Sequence, residues 1–239
     1  MHDLLVNLLA SVMAGTAVWL GQRLLRYRRL ARKQAFFGLE SGAECLLTVA
    51  RHVSSPNELS VHRRDVKALV ELATIARDCG ARAELVSEDD APRGIGRSTE
   101  FCVGGPTANP RTAAHLRSIL RGVRVESDQH LSLSIGTTTF RRERDRAEYV
   151  VLARAWGPAG GHPVFILSGQ TARTNLAAAR FLATEYRQLY RRYGASKRFC
   201  LLLRIVDPTV YGSDFTEIAA DVTEAAFQPP DPVALEGTT

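Results

Sequence analysis

The chain reads as an α/β protein: a mostly parallel sheet with flanking helices and an antiparallel hairpin, behind one N-terminal transmembrane helix. Three observations predict this. Leu4–Leu20 is a run of 17 residues without a charge, closed by Arg23, Arg26, Arg28, Arg29, Arg32 and Lys33. After it, short apolar runs alternate with amphipathic stretches, the pattern of parallel strands joined by crossover helices. Leu131–Ile135 and Thr138–Arg141 instead alternate polar and apolar residues about Gly136–Thr137, which is a hairpin with one wet face.

As a helix, Leu4–Leu20 would run about 26 Å, a little short of a hydrocarbon core of about 30 Å. Trp19 falls where an interfacial aromatic belongs, and the cations all follow the run, so the positive-inside rule turns residues 23–239 to the cytoplasm and the N-terminus outside. The expected location is therefore the plasma membrane, single-pass. A cleaved signal peptide would need a basic start, which the chain lacks, and an interfacial helix would need a polar face, which the run lacks. Asn7, Ser11 and Gly15 share one helical face. Small residues at that spacing suit a homodimer, but they are also common in membrane helices generally.

Residues 1–33 hold six Lys/Arg and one acid, +5 of the formal +6, leaving +1 on the remaining 206 residues. The basic collar thus faces an anionic leaflet, and the body has no electrostatic motive for nucleic acid. The division expected is anchor 1–22, basic juxtamembrane segment 23–35, α/β domain 36–227 and disordered tail 228–239, with three of the tail's prolines in five residues.

In order, Ala43–Ala50 is a buried strand. Ser60 caps a helix over Val61–Cys79 whose inner face is Val66, Leu69, Val70, Ala73 and Ala76, and Gly80 stops it. Ala83–Val86 and Glu100–Val103 are strands separated by the loop Glu88–Ser98, and Arg111–Leu120 is a helix. Glu148–Ala155 and Val164–Leu167 are apolar strands. Ala172–Tyr193 is a long helix with Leu176, Ala179, Phe181, Leu182, Tyr186 and Leu189 inward. Arg198–Val206, the most hydrophobic strand, is expected at the sheet centre, and Phe215–Val222 at an edge. Together these make a Rossmann-like, doubly wound sheet, whose ligands bind beyond the carboxyl ends of the strands. Cys45, Cys79, Cys102 and Cys200 show no C-x-x-C pair and read as buried thiols, and the six histidines never fall at metal-ligand spacing, so no metal is expected.

Two strand-to-helix junctions resemble each other. Gly105, Thr107, Ala108, Ala113 and Ala114 repeat as Gly169, Thr171, Ala172, Ala177 and Ala178. Glycine admits a close backbone approach and a helix start offers free amides to an anion, although α/β folds need tight turns in any case. In Gly104-Gly105-Pro106-x-x-Asn109 the asparagine precedes a proline, which restricts its backbone and aims its amide over the strand ends. On these glycine junctions the chain resembles membrane-anchored actinobacterial proteins. More distantly it is similar to the Rossmann-like nucleotide-sensing domains allied to the LOG and Smf/DprA proteins (SLOG-type), over roughly residues 43–206. That resemblance implies recognition of a nucleotide or nucleotide-derived signal. The P-G-G-x-G-T motif and downstream glutamate of the LOG branch are missing, so its phosphoribohydrolase activity does not carry over.

The candidate ligand-binding residues are Arg51, Gly104, Gly105, Asn109, Gly169 and Thr171, with a nucleotide as the candidate ligand and no established cofactor. His52, beside Arg51 at the end of the first strand, is the candidate acid/base, against the alternative of a solvated loop. His62–Asp65 is read as a solvated helix start, Asp207–Pro208 as a turn former and Asp89–Asp90 as a loop. No complete catalytic motif is present. The expected function is a membrane-anchored cytoplasmic sensor, with an enzyme on a nucleotide or phosphorylated substrate, or a non-catalytic membrane scaffold, as alternatives.

Overall fold

A computed structural model describes residues 2–52, 54–57, 60–86, 95–126, 131–206, 210 and 215–229; within the first helix it describes the side chains of Met13 and of residues 15–37. Asp89–Asp90, Asp207–Pro208 and the tail from residue 230 lie outside the described residues.

The first helix, α1 (His2–Phe37), is continuous, so the uncharged run and the basic segment form one rod that runs into the domain. Met13, Val18, Trp19, Leu20, Leu24, Leu25 and Tyr27 are all exposed by half or more, whereas Phe36 and Phe37 are fully buried. Among the described residues no helix is long and apolar enough to cross a membrane. The side chains of Asn7 and Ser11, on the expected dimer face, lie outside the described residues.

Among the described residues ten strands and four further helices follow. They are β1 (Glu44–Val49), α2 (Arg63–Asp78), β2 (Arg82–Val86), β3 (Thr99–Val103), α3 (Pro110–Ser118), β4 (Val123–Val125), β5 (Leu133–Ile135), β6 (Thr138–Phe140), β7 (Ala147–Gly157), β8 (Gly160–Gly169), α4 (Ala172–Tyr193), β9 (Phe199–Val206), β10 (Thr216–Asp221) and α5 (Thr223–Phe227). Seven strands form the main sheet in the order β10-β9-β7-β8-β3-β1-β2. β1, β2, β3, β8 and β9 run one way, and β7 and β10 run against them. The mixed α/β architecture with a mostly parallel central sheet is therefore as the sequence predicts, and β5–β6 is the expected hairpin, extended by β4 into a small antiparallel sheet.

One face of the main sheet packs α2, α4 and the end of α1 around Leu47, Leu72, Phe101, Phe165, Leu182 and Leu201. The other packs α3, α5 and the small sheet around Cys102, Leu120, Leu133, Ile166 and Leu202. Burial on both faces explains the near-continuous apolar runs of β3, β8 and β9. All four cysteines are free and buried.

Several expectations need correction. β9 is second from an edge, and β8 holds the centre. Its hydrophobicity reflects contact with both cores, which does not require a central position. Helix α2 is capped by the imidazole of His62, which accepts from the Arg64 amide, while the Ser60 hydroxyl donates to the Asn57 carbonyl. Its inner face is Ala68, Leu69, Leu72, Ile75 and Ala76; Val66 and Val70 are exposed, rotated out of the predicted stripe. The likeness of the two junctions also ends at the turn, because α3 starts five residues after Gly105 and α4 three after Gly169. Ala177 and Ala178 are fully buried as a result, whereas Ala114 is exposed.

Candidate functional site

Because β1, β3 and β8 are adjacent and parallel, their carboxyl ends open on the same edge of the sheet. The loops leaving them enclose a crevice of about 450 Å³, the size of an ordinary small-molecule site. Arg51, His52, Gly104, Gly105, Gly169 and Thr171 all line it. Sequence reasoning missed further side chains there, among them His62, Asp65, Glu126 and Asn175.

The loops interlock closely. The Arg51 amide donates to the Ala108 carbonyl at 2.9 Å, tying the end of β1 to the loop after β3. Gly104 has φ +109, and a Cβ there would stand 2.4 Å from the Cβ of Ala50, so only glycine fits. At Gly169 a Cβ would meet the Thr174 hydroxyl at 2.0 Å. Gly105 is different: its added Cβ would meet only the Gly169 carbonyl, at 3.8 Å, and would otherwise project into open space.

Asn109 does not reach the crevice. It is the N-cap of α3: its carbonyl oxygen accepts from the Arg111 and Thr112 amides, and its Nδ2 donates to the Val103 carbonyl at 3.0 Å. Proline after it occupies the first helical position, where no amide is needed. Thr171 lines the crevice but caps α4, accepting from the Thr174 amide while its hydroxyl donates to Glu148 at 2.8 Å. What this helix start offers a ligand is the amide of Ala172, which lines the crevice and, at the first turn, has no intrahelical acceptor.

Along the α2 side, the rings of His52 and His62 stack 5.3 Å apart, and His52 Nδ1 is buried with no partner among the described residues. Asp65, 4% exposed, accepts from Asn175 Nδ2 at 3.0 Å, and Asn175 in turn accepts from the Gly169 amide. Burial raises the Asp65 carboxyl above its ordinary range, against the lowering effect of the Asn175 bond. Burial likewise lowers the His62 imidazole. His62 and Asp65 are thus part of the crevice wall and not the solvated helix start expected. A carboxyl whose ionised form is held at a cost in a cleft marks a candidate site. Since its folded-state pKa lies above the unfolded one, Asp65 lowers stability once ionised. Asp65→Asn, which keeps the acceptor for Asn175, is expected to raise the melting temperature by a few degrees at pH 7. That gain should vanish as the pH falls into the range where Asp65 is protonated.

Compared with models of known families, with curated proteins and with solved structures, the chain finds no match. The crevice is read from its own chemistry.

A larger groove of about 800 Å³ between α4 and β10 is lined by the Glu71–Arg180 ion pair and scattered polar groups, with no convergent reactive set. Beneath α3, ligand atoms of Glu100, Cys102 and His115 lie within 4.8 Å of one another. Both Glu100 oxygens, however, are bonded to the Arg111 guanidinium, at 2.7 and 2.8 Å, and that fixed positive charge opposes a metal ion in the same place.

Proposed function

We propose that this protein is a membrane-anchored, cytoplasm-facing sensor that binds a nucleotide or another phosphorylated small molecule in the crevice. The observation that carries the reading is the convergence of three strand-end loops on one cavity with the Arg51 cation and the start of α4 at Ala172. Arginine and helix-start amides suit phosphate oxygens, and Asp65 and Glu126 across the cavity suit sugar hydroxyls. The resemblance to SLOG-type domains supports the same ligand class. The uncharged Leu4–Leu20 run, the basic collar and the exposed apolar side chains of α1 support the bilayer as partner, with homodimerisation through Asn7, Ser11 and Gly15 as the companion hypothesis.

The test is a thermal-shift screen of the full chain in neutral detergent against nucleotides and sugar phosphates. At a hundred times its Kd a ligand adds about 2.7 kcal/mol, an upward shift of roughly 5–10 °C for a domain of this size. Arg51→Gln and Gly105→Ala are expected to abolish the shift without unfolding the protein, because Arg51 is exposed and Gly105 has room for a methyl group. No ligand moving the melting temperature would sink the reading.

The stacked His52–His62 pair beside Asp65 favours a second reading, an enzyme on a phosphorylated or nucleotide substrate with His52 as acid/base. Turnover lost in His52→Ala with ligand binding retained selects it. Unchanged stability and phenotype in Arg51→Ala would instead select a scaffold.

A further inference from the structure

We propose that the groove between α1 and α4 is a binding site for the phosphate of an anionic lipid headgroup, held by Arg29, Arg32, Arg187 and Arg191. The proposal rests on the anchor reading and is independent of the crevice. The groove measures about 330 Å³ and its remaining lining is Tyr186 and Tyr190, with no acidic side chain.

Spacing builds the cluster. Arg29 and Arg32 lie three apart on α1, and Arg187 and Arg191 four apart on α4, so each pair shares a helix face. Like charges at those spacings repel, and two such faces here meet. Neighbouring cations on the same helices are neutralised: Lys33 by Asp78 at 2.7 Å, Arg180 by Glu71 at 3.5 Å and Arg192 by Asp221 at 2.7 Å. The four groove arginines make no ion pair among the described residues. An anion between them would relieve the repulsion, and guanidinium forks match phosphate oxygens.

The tyrosines give the groove a fixed floor. Both rings pack on Phe36, at 6.5 and 6.4 Å, and the Tyr186 hydroxyl accepts from Arg187 Nε at 3.3 Å, which orients that guanidinium.

Placement selects a lipid over a soluble anion. Arg29 follows Leu20 by nine residues, about 13 Å along the axis, and the headgroup layer extends about 5–8 Å beyond the hydrocarbon. Helix tilt and the length of an arginine side chain cover the difference. Leu24, Leu25 and Tyr27, exposed on the intervening turns, are suited to that interface.

The experiment is native mass spectrometry of the full chain in neutral detergent with added phosphatidylglycerol or phosphatidylcholine. The expected result is preferential retention of phosphatidylglycerol, reduced about tenfold in the Arg187→Gln/Arg191→Gln double variant with no fall in melting temperature. Both substituted residues are exposed on α4, outside the collar, so the fold and the collar charge survive. Retention unchanged in the double variant would overturn the site in favour of the collar alone. Displacement of the lipid by millimolar inorganic phosphate would overturn the lipid in favour of a soluble anion. Alkaline carbonate extraction of host membranes tests the anchor separately: release of the full chain defeats the anchor whatever the lipid retention.

Discussion

Glu100→Gln is expected to destabilise the domain by about 3 kcal/mol at pH 7, lowering its melting temperature by roughly 10 °C. The carboxylate is 1% exposed, beneath α3. Arg111 grips both its oxygens, His115 Nε2 lies 3.1 Å from Oε1, and the Cys102 thiol donates to Oε1 at 2.9 Å. Arg111 and His115 are four apart on α3, so one buried anion pins the inner face of that helix to β3. Replacing the anion removes the buried charge that the Arg111 guanidinium grips with two hydrogen bonds, and the loss of that pairing sets the size of the effect.

Acid should act on the same pair. Burial alone would raise the Glu100 carboxyl, but the hydrogen bonds from Arg111 and His115 outweigh it and hold the group at about 2, against an ordinary 4.5. A carboxyl whose folded-state pKa is depressed stabilises fully above its unfolded pKa and loses that contribution as pH falls through the folded one. The wild-type advantage over Glu100→Gln should therefore be constant above about pH 4.5 and shrink toward pH 2. Denaturant melts of both proteins across that window check it, and a gap that stays constant to pH 2.5 would overturn the assignment.

Most elements of the fold are legible in the sequence because their signals are local. The run Ala172–Tyr193 is one helix with the bounds its periodicity predicts, and β1, β3, β7 and β8 sit within a few residues of their apolar runs. Five of the six candidate ligand residues, and His52, converge because a parallel sheet sends the loops after β1, β3 and β8 to one edge. Strand order is not local. The two-residue turn at 158–159 makes β7 and β8 an antiparallel hairpin, but nothing in the composition of β7 says that β9 pairs along its other edge, since burial on two faces makes all three alike.

The misread polar residues share one cause: a side chain's partner can lie far away in sequence. Asp65 belongs to a helix start that looks solvated, and only Asn175, 110 residues on, shows it to be buried. Asn109 errs the other way. Its position before Pro110 is the signature of an N-cap with proline at the first helical position, and that local reading suffices. Glu100, charged and inside an apolar strand, carried a warning that a strand pattern alone does not explain.

Arg154 carries the same warning and a larger consequence. It interrupts the apolar run of β7, is fully buried, and faces no carboxylate among the described residues. Its guanidinium is instead spent on backbone carbonyls: Nη1 donates to Phe36 at 3.0 Å, Nη2 to Gly194 at 2.9 Å and to Lys197 at 2.6 Å, and Nε to Lys197 at 3.2 Å. The cation lies over the rings of Phe36, Trp156 and Phe199, at 4.5, 5.2 and 5.2 Å, and burial lowers its pKa only to about 10, so it stays charged at neutral pH. These partners are the last turn of α1 and the turn from α4 to β9, which makes Arg154 the joint between the rod and the domain. Arg154→Met fills most of the space but leaves three carbonyls unpaired, and is expected to cost about 4 kcal/mol, with Arg154→Lys losing less. A general core defect would loosen the whole domain, whereas a joint should open at α1. Tryptic cleavage after Lys33 in Arg154→Met should therefore accelerate far more than cleavage within α4. Uniform acceleration at both places would reduce Arg154 to a core residue and remove it from the coupling between α1 and the domain.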